Sequence, residues 1–175
     1  MVNRMKDRGD RTEREALALL IEQTPDLLVA NAMRQLGAGR KDDIGDLHVF
    51  PDCAVQVKAS KPSTLTAQCR TAAITAQIQA GRALSPHHVG MVKLHNVRTG
   101  TKWLASAVIW PTPVEPFEVK TAVAAAITRA RDESLPLAQR ISRISGRGAT
   151  PYLLGPWEAW LASYRAVRLT QAEAA

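Results

Sequence analysis

The sequence predicts an α/β fold. Residues 11–23, 64–82 and 157–169 carry apolar side chains at helical spacing. Residues 44–58, 88–97 and 102–110 alternate, or run apolar, over strand lengths. The two kinds of segment interleave along the chain, as layered α/β architectures require. At 175 residues, one domain with a modest appendage is the default. Pro111, Pro113 and Pro116 mark the one clear boundary, between a core over residues 1–116 and a helical extension over 117–175.

Residues 1–10 are charged and read as frayed. In the first helix, Ala16, Leu17 and Leu20 lie three, four and seven places after Glu13, so Glu13 shares the apolar face and Arg14 lies off it. An acid near a helix N-terminus also suits the macrodipole. Thr24-Pro25 reads as N-cap and first position of a second helix over 25–36, with Leu28, Ala32 and Leu36 inward and Gly37 closing it. Residues 39–43 form a polar loop.

Residues 44–58 read as two strands joined by a Pro-Asp turn. Leu47 and Val49 share one face and Asp46, His48 and Phe50 the other; Val55 and Val57 oppose Ala54, Gln56 and Lys58. With Pro51, Asp52 and Cys53 as the loop, Asp46 falls opposite Lys58, so an acid, an amide and an ammonium meet at one edge of an apolar hairpin. The next helix, over 64–82, puts Leu65, Cys69, Ala72, Ala73 and Ala76 on one side, with Gly81 at its end. Strands over 88–97 and 102–110 follow, the second apolar enough to be covered on both faces. A helix is expected over 117–133. Residues 134–150 carry Arg140, Arg143 and Arg147 and no acid, which suits either contact with phosphates or a solubilising loop. Trp157, Trp160, Leu161 and Tyr164 line one side of the last helix, as packing or as a dimer contact.

Only Cys53 and Cys69 are present, which supports neither a disulfide framework nor a structural zinc site. No run is long and apolar enough to span a membrane and the N-terminus is not signal-like, so a cytoplasmic setting and no membrane partner are expected. The net charge of +7 leans slightly towards a polyanionic partner.

Taken in order, the chain offers Glu on a first helix, then Asp, then Gln-x-Lys across a hairpin, then helix, strand and strand. This resembles the PD-(D/E)XK nuclease superfamily, and within it the archaeal-type Holliday junction resolvases. Their first helix opens with Gly, three residues and Glu-Arg-Glu, matched here by Gly9 and Glu13-Arg14-Glu15. The resemblance covers residues 8 to about 110. It implies a restriction-endonuclease-like mixed sheet flanked by helices, Glu13 and Asp46 as the acids, Lys58 as the catalytic lysine and Arg14 as a neighbouring arginine. It also implies Mg²⁺ (or Mn²⁺), branched DNA as substrate and a homodimer. Three features depart from the family: Gln56 stands where an acid is usual, residues 25–36 read as an insertion, and the last 60 or so residues have no counterpart.

Phosphodiester hydrolysis needs an activated water and relief of charge on the phosphorane. Mg²⁺ takes oxygen ligands and keeps several waters. Glu13, Asp46, Gln56 and the Val57 carbonyl are the candidate ligands, Lys58 orients the water or stabilises developing charge, and Arg14 holds the scissile phosphate. One alternative keeps the fold and DNA binding but not cleavage, with Gln56 as the trace of a dead site. A second, a His-based nuclease built on His87, His88, His95 and Asn96, lacks the helix-turn that such motifs need.

Overall fold

A computed structural model of the chain describes residues 4–35 and 44–173. The first helix, α1 (Arg4–Gln23), begins before residue 11, so the segment expected to fray is helical from Arg4 onward. Ala16 and Leu20 are fully buried on its inner face, as the apolar spacing requires.

The second expected helix does not form within the described residues. Residues 25–27 make a turn, and the chain continues irregularly to a two-residue strand, β1 (Met33–Arg34). Leu27, Leu28 and Ala32 still pack on the core, so the apolar pattern was sound but its geometry was not helical. The competing interaction is with the next strand, β2 (Leu47–Phe50). The Val29 N–H donates to the Val49 carbonyl at 2.9 Å, and Met33 and Arg34 pair antiparallel with His48 and Leu47. A helix over 25–36 would leave that edge of β2 unpaired. Leu36, Gly37 and the loop over 39–43 lie outside the described residues.

β3 (Cys53–Ala59) returns antiparallel to β2, and α2 (Leu65–Ala83) then crosses to β4 (His87–Lys93), which lies parallel to β3. Cys69, Ala72, Ala73, Ala76 and Ala80 give α2 a narrow buried face. It sits so close to the sheet that a Cβ on Gly90 would come within 2.7 Å of the Ala72 carbonyl carbon. β5 (Trp103–Ala107) is buried at every position, as its apolar run foretold.

The residues after Pro116 are not a helical extension. They add β6 (Phe117–Val119), α3 (Val123–Arg131), β7 (Ser142–Ile144), β8 (Tyr152–Pro156) and α4 (Trp157–Glu173). The helix expected over 117–133 is therefore a short strand and a shorter helix, and the basic segment over 134–150 contains β7. All eight strands form one mixed sheet in the order β1-β2-β3-β4-β5-β8-β7-β6, so the sheet runs through the boundary expected at residue 116. Only β3 with β4 and β6 with β7 are parallel, each pair joined through a helix.

The two hydrophobic clusters define the layers. Ala16 and Leu20 of α1 share one with Trp157, Trp160 and Tyr164 of α4; Cys69 and Ala72 of α2 share the other with Val123 and Ala126 of α3. Helices therefore cover both faces of an α/β fold, with α1 and α4 on one side and α2 and α3 on the other. The aromatic stripe of α4 closes over its own sheet: Trp157, Trp160 and Tyr164 are fully buried, and the Tyr164 ring lies 4.9 Å from that of Phe50. Packing accounts for the stripe, which leaves no surface there for a dimer contact. No helix among the described residues is long and apolar enough to cross a membrane.

Candidate active site

The hairpin of β2 and β3 turns on Pro51 and Asp52 alone, with Phe50 opposite Cys53. Leu47 is opposite Val55, so β2 spends three steps where β3 spends two, the signature of a bulge. This register corrects the expectation that Asp46 faces Lys58. Asp46 lies instead beside Gln56 and Val57, with its own N–H donating to the Val55 carbonyl at 2.9 Å. Gly45 precedes it with φ +135°, a conformation that favours glycine, and a Cβ there would sit 3.1 Å from the Val55 oxygen.

At this point β2 has ended while β3 continues. The Val57 N–H, which would otherwise lack a strand partner, donates to Asp46 Oδ2 at 2.8 Å. The Gln56 side-chain amide donates to the same oxygen, and its Nε2 lies 3.4 Å from the Val57 carbonyl oxygen. Gln56 is only 2% exposed, so its amide is enclosed between those two oxygens. Lys58 stands two residues further along, on the same face of β3 as Gln56, and is half-buried.

Glu13 is held by Arg34. Its Oε2 accepts from Arg34 Nε at 3.0 Å and Nη2 at 2.6 Å, and Asp10 takes a further bond from Nη2 at 3.0 Å. The hydrogen bond to Glu13 is the main reason the Arg34 pKa is raised, with the Asp10 carboxylate adding to it and burial opposing. Arg34 is paired with Leu47, and the next residue, Gln35, donates its N–H to the Asp46 carbonyl at 2.8 Å. Glu13 is thus tied by an arginine to the strand beside Asp46. Sequence reasoning missed Arg34 because a helix over 25–36 would have given it no place beside β2. The adjacent polar pair Arg34-Gln35 at the end of a mostly apolar stretch was the available signal. Arg14 lies on the exposed side of α1.

The basic segment divides. Arg140 is 7% exposed, and its guanidinium donates to the Ala130 carbonyl at the end of α3 and to the Thr101 hydroxyl, each at 2.6 Å. A guanidinium so enclosed caps a helix C-terminus and is not presented to a phosphate, which corrects the reading of all three arginines as one phosphate-facing set. Arg143 and Arg147 are exposed. β7, which carries Arg143, lies four strands from β3, or about 19 Å across the sheet.

His87 and His88 are packing groups. His88 Nε2 accepts from the Val108 and Ile109 N–H groups, at 3.1 and 3.4 Å, and burial pushes its pKa down to about 4, with His87 adding to the shift. The His87 ring meets Tyr164 edge-on. Burial likewise pushes both cysteine thiols up, Cys69 to about 12, so neither is a reactive thiolate.

Among the described residues, no three His, Cys, Asp or Glu side chains come together as a metal site. The donor set at Asp46 is nevertheless compatible with a hard cation. Two oxygens already border the Gln56 amide, and turning that amide over replaces its NH₂ with Oε1, which makes three. The chain matches no family model, no curated protein and no solved structure.

Proposed function

We propose that this chain is a Mg²⁺-dependent DNA endonuclease of the PD-(D/E)XK kind, acting on branched DNA and most suited to four-way junctions. The observation that carries the reading is the meeting of the Asp46 carboxylate, the Gln56 amide and the Val57 carbonyl where β2 leaves β3, with Lys58 two residues on. The order of elements supports the resemblance: a helix, the β2–β3 hairpin that carries Asp46 and Gln56-x-Lys58, then a helix, a strand and a strand, with β1 as an addition.

Asp46, Gln56 through Oε1, and the Val57 carbonyl would hold the cation. When bound, Mg²⁺ supplies Lewis acidity and lowers the pKa of a bound water. Lys58 places an ammonium beside the site, where it orients the attacking water and offsets charge as it develops on the phosphate oxygens. Arg34 holds Glu13 next to the hairpin, so Glu13 turns to a cation only by exchanging that partner. Arg14, exposed on α1, is free to take a phosphate of the approaching strand.

A second reading is DNA binding without cleavage. It is favoured by the Gln56 NH₂ pointing at Asp46 and by Arg34 holding Glu13. Junction resolution needs paired cuts and hence two copies of the chain, a homodimer joined through a surface other than the buried α4 stripe. The test is a panel of four-way junctions, forks and linear duplex with Mg²⁺, Mn²⁺ or EDTA. Metal-dependent paired nicks in junctions support the resolvase. Binding without nicking in either metal supports the second reading. Equal degradation of linear duplex removes the preference for branched DNA.

A further inference from the structure

A cleft of about 380 Å³ opens between α1 and the carboxyl ends of β3 and β4, lined among others by Arg8, Arg11, Glu15, Ser60, Lys93 and His95. Its size is at the lower end of the range for small-ligand sites, roughly 300–1,000 Å³. Its position is the one that open α/β sheets favour for ligands, outside the carboxyl ends of parallel strands. Three cations face one carboxylate. Glu15 is shared between Arg11, at 3.2 Å, and Lys93, and these two partners, opposed by burial, hold its carboxyl below the usual range.

Arg8 differs from its neighbours. Among the described residues no carboxylate pairs with it. Its Nη2 donates to the Ser60 carbonyl at 2.8 Å, which fixes the guanidinium, and lies 3.3 Å from His95 Nδ1. Arginine carries only donors, so His95 Nδ1 must accept, and the neutral ring then keeps its proton on Nε2. Both of these bonds use Nη2, and among the described residues no partner takes the Nε and Nη1 donors of the fork. A fixed guanidinium with spare N–H groups, an imidazole N–H donor and a lysine ammonium are the groups that recognise phosphate oxygens.

We infer that this cleft is a phosphate-binding subsite. That the phosphate belongs to a DNA strand rests on the proposed function; that the cleft takes a phosphate does not. Ala59, which lines the cleft, directly follows Lys58, and neighbouring residues on a strand point to opposite faces. The cleft therefore adjoins the Asp46–Gln56 site at the strand ends without sharing its side chains. It would hold a phosphate other than the one being cut.

The test uses the full chain, with backbone amide NMR followed during titration by inorganic phosphate and by short single-stranded DNA carrying a 5′-phosphate or a 5′-hydroxyl. Phosphate should shift the Ser60, His95 and Asn96 amides saturably, and Arg8→Gln should weaken that binding about tenfold or more. His95→Ala, at an exposed position, should weaken it with the fold intact should Arg8→Gln prove unstable. Tighter binding of the 5′-phosphorylated strand assigns a terminal phosphate; equal binding of both strands at these amides assigns an internal phosphodiester. Phosphate binding here without DNA cleavage upholds the subsite while the nuclease reading fails. DNA that binds or is cut while these amides stay unmoved by every ligand overturns the subsite and leaves the nuclease reading standing.

Discussion

Asp46 Oδ2 accepts two hydrogen bonds from adjacent residues of β3, one from the Gln56 side-chain amide and one from the Val57 backbone N–H. The amide therefore does in this structure what a cation would do in an active nuclease: it offsets the carboxylate. Gln56→Glu replaces that donor with a carboxylate at a buried position beside the half-buried Asp46, and the two repel. In EDTA the variant should lose about 1–3 kcal/mol of stability. Saturating Mg²⁺ should restore it, by about 2.7 kcal/mol at a hundredfold excess over Kd. Thermal melts in the two conditions check this, and a variant that melts alike in both would mean that no cation is held there.

Arg140, Arg143 and Arg147 should separate in their effects. Arg140→Ala leaves the Ala130 carbonyl and Thr101 hydroxyl without their charged donor, and should cost about 1.5–3 kcal/mol in chemical denaturation. Replacing Arg143 and Arg147 together should change stability by less than about 1 kcal/mol. It should instead lower the slope of log Kobs against log salt by about 0.9 for each phosphate that is no longer neutralised. An unchanged slope would make these two arginines a solvated surface.

His88 predicts an acid limb of stability. Its folded pKa, about 4, lies below the ordinary value of 6.5, so the unfolded chain binds the extra proton first. Its contribution is full above pH 6.5 and is lost as pH falls towards 4, on the order of 3 kcal/mol at most. His87 is also shifted down and adds to the same limb, whereas Glu15 and Asp26, lowered from 4.5 and 3.8, lose their contributions only below those values. Protonation of His88 Nε2 would set an N–H against the Val108 and Ile109 N–H groups. Imidazole ¹⁵N shifts should show His88 neutral down to about pH 4, and His88→Gln should flatten the stability profile between pH 4 and 6.5. A ring that titrates near 6.5 would contradict the buried contact.

The elements with a long period were legible in the sequence. The inner face of α1, the small-residue face of α2 and the apolar run of β5 each repeat often enough to declare themselves. The short strands did not. β1, β6 and β7 have two or three residues each, too few to show alternation, and their existence depends on partners distant in sequence. β8 inserts between β5 and β7, a pairing that no local pattern announces. The site divided along the same line. Asp46 and Gln56 are ten residues apart on one hairpin, so their convergence could be read, with an error of register that came from the shorter turn and the bulge. The capture of Glu13 by Arg34 required β1, and the burial of Arg140 required α3 to end beside Thr101; neither is a local property.

Whether Asp46 anchors a cation needed for phosphodiester cleavage is read from the single-turnover rate on a four-way junction. The rate is compared between the native chain and Asp46→Asn, with junction affinity measured alongside in Ca²⁺. The Asn oxygen can still accept the Val57 N–H, so the fold and the binding should be retained. The expected result is Mg²⁺-dependent cutting by the native chain and a loss of at least about 100-fold in the variant, equivalent to roughly 2.7 kcal/mol of transition-state stabilisation. Cleavage by Asp46→Asn at the native rate, or by the native chain in EDTA, would contradict that role for Asp46.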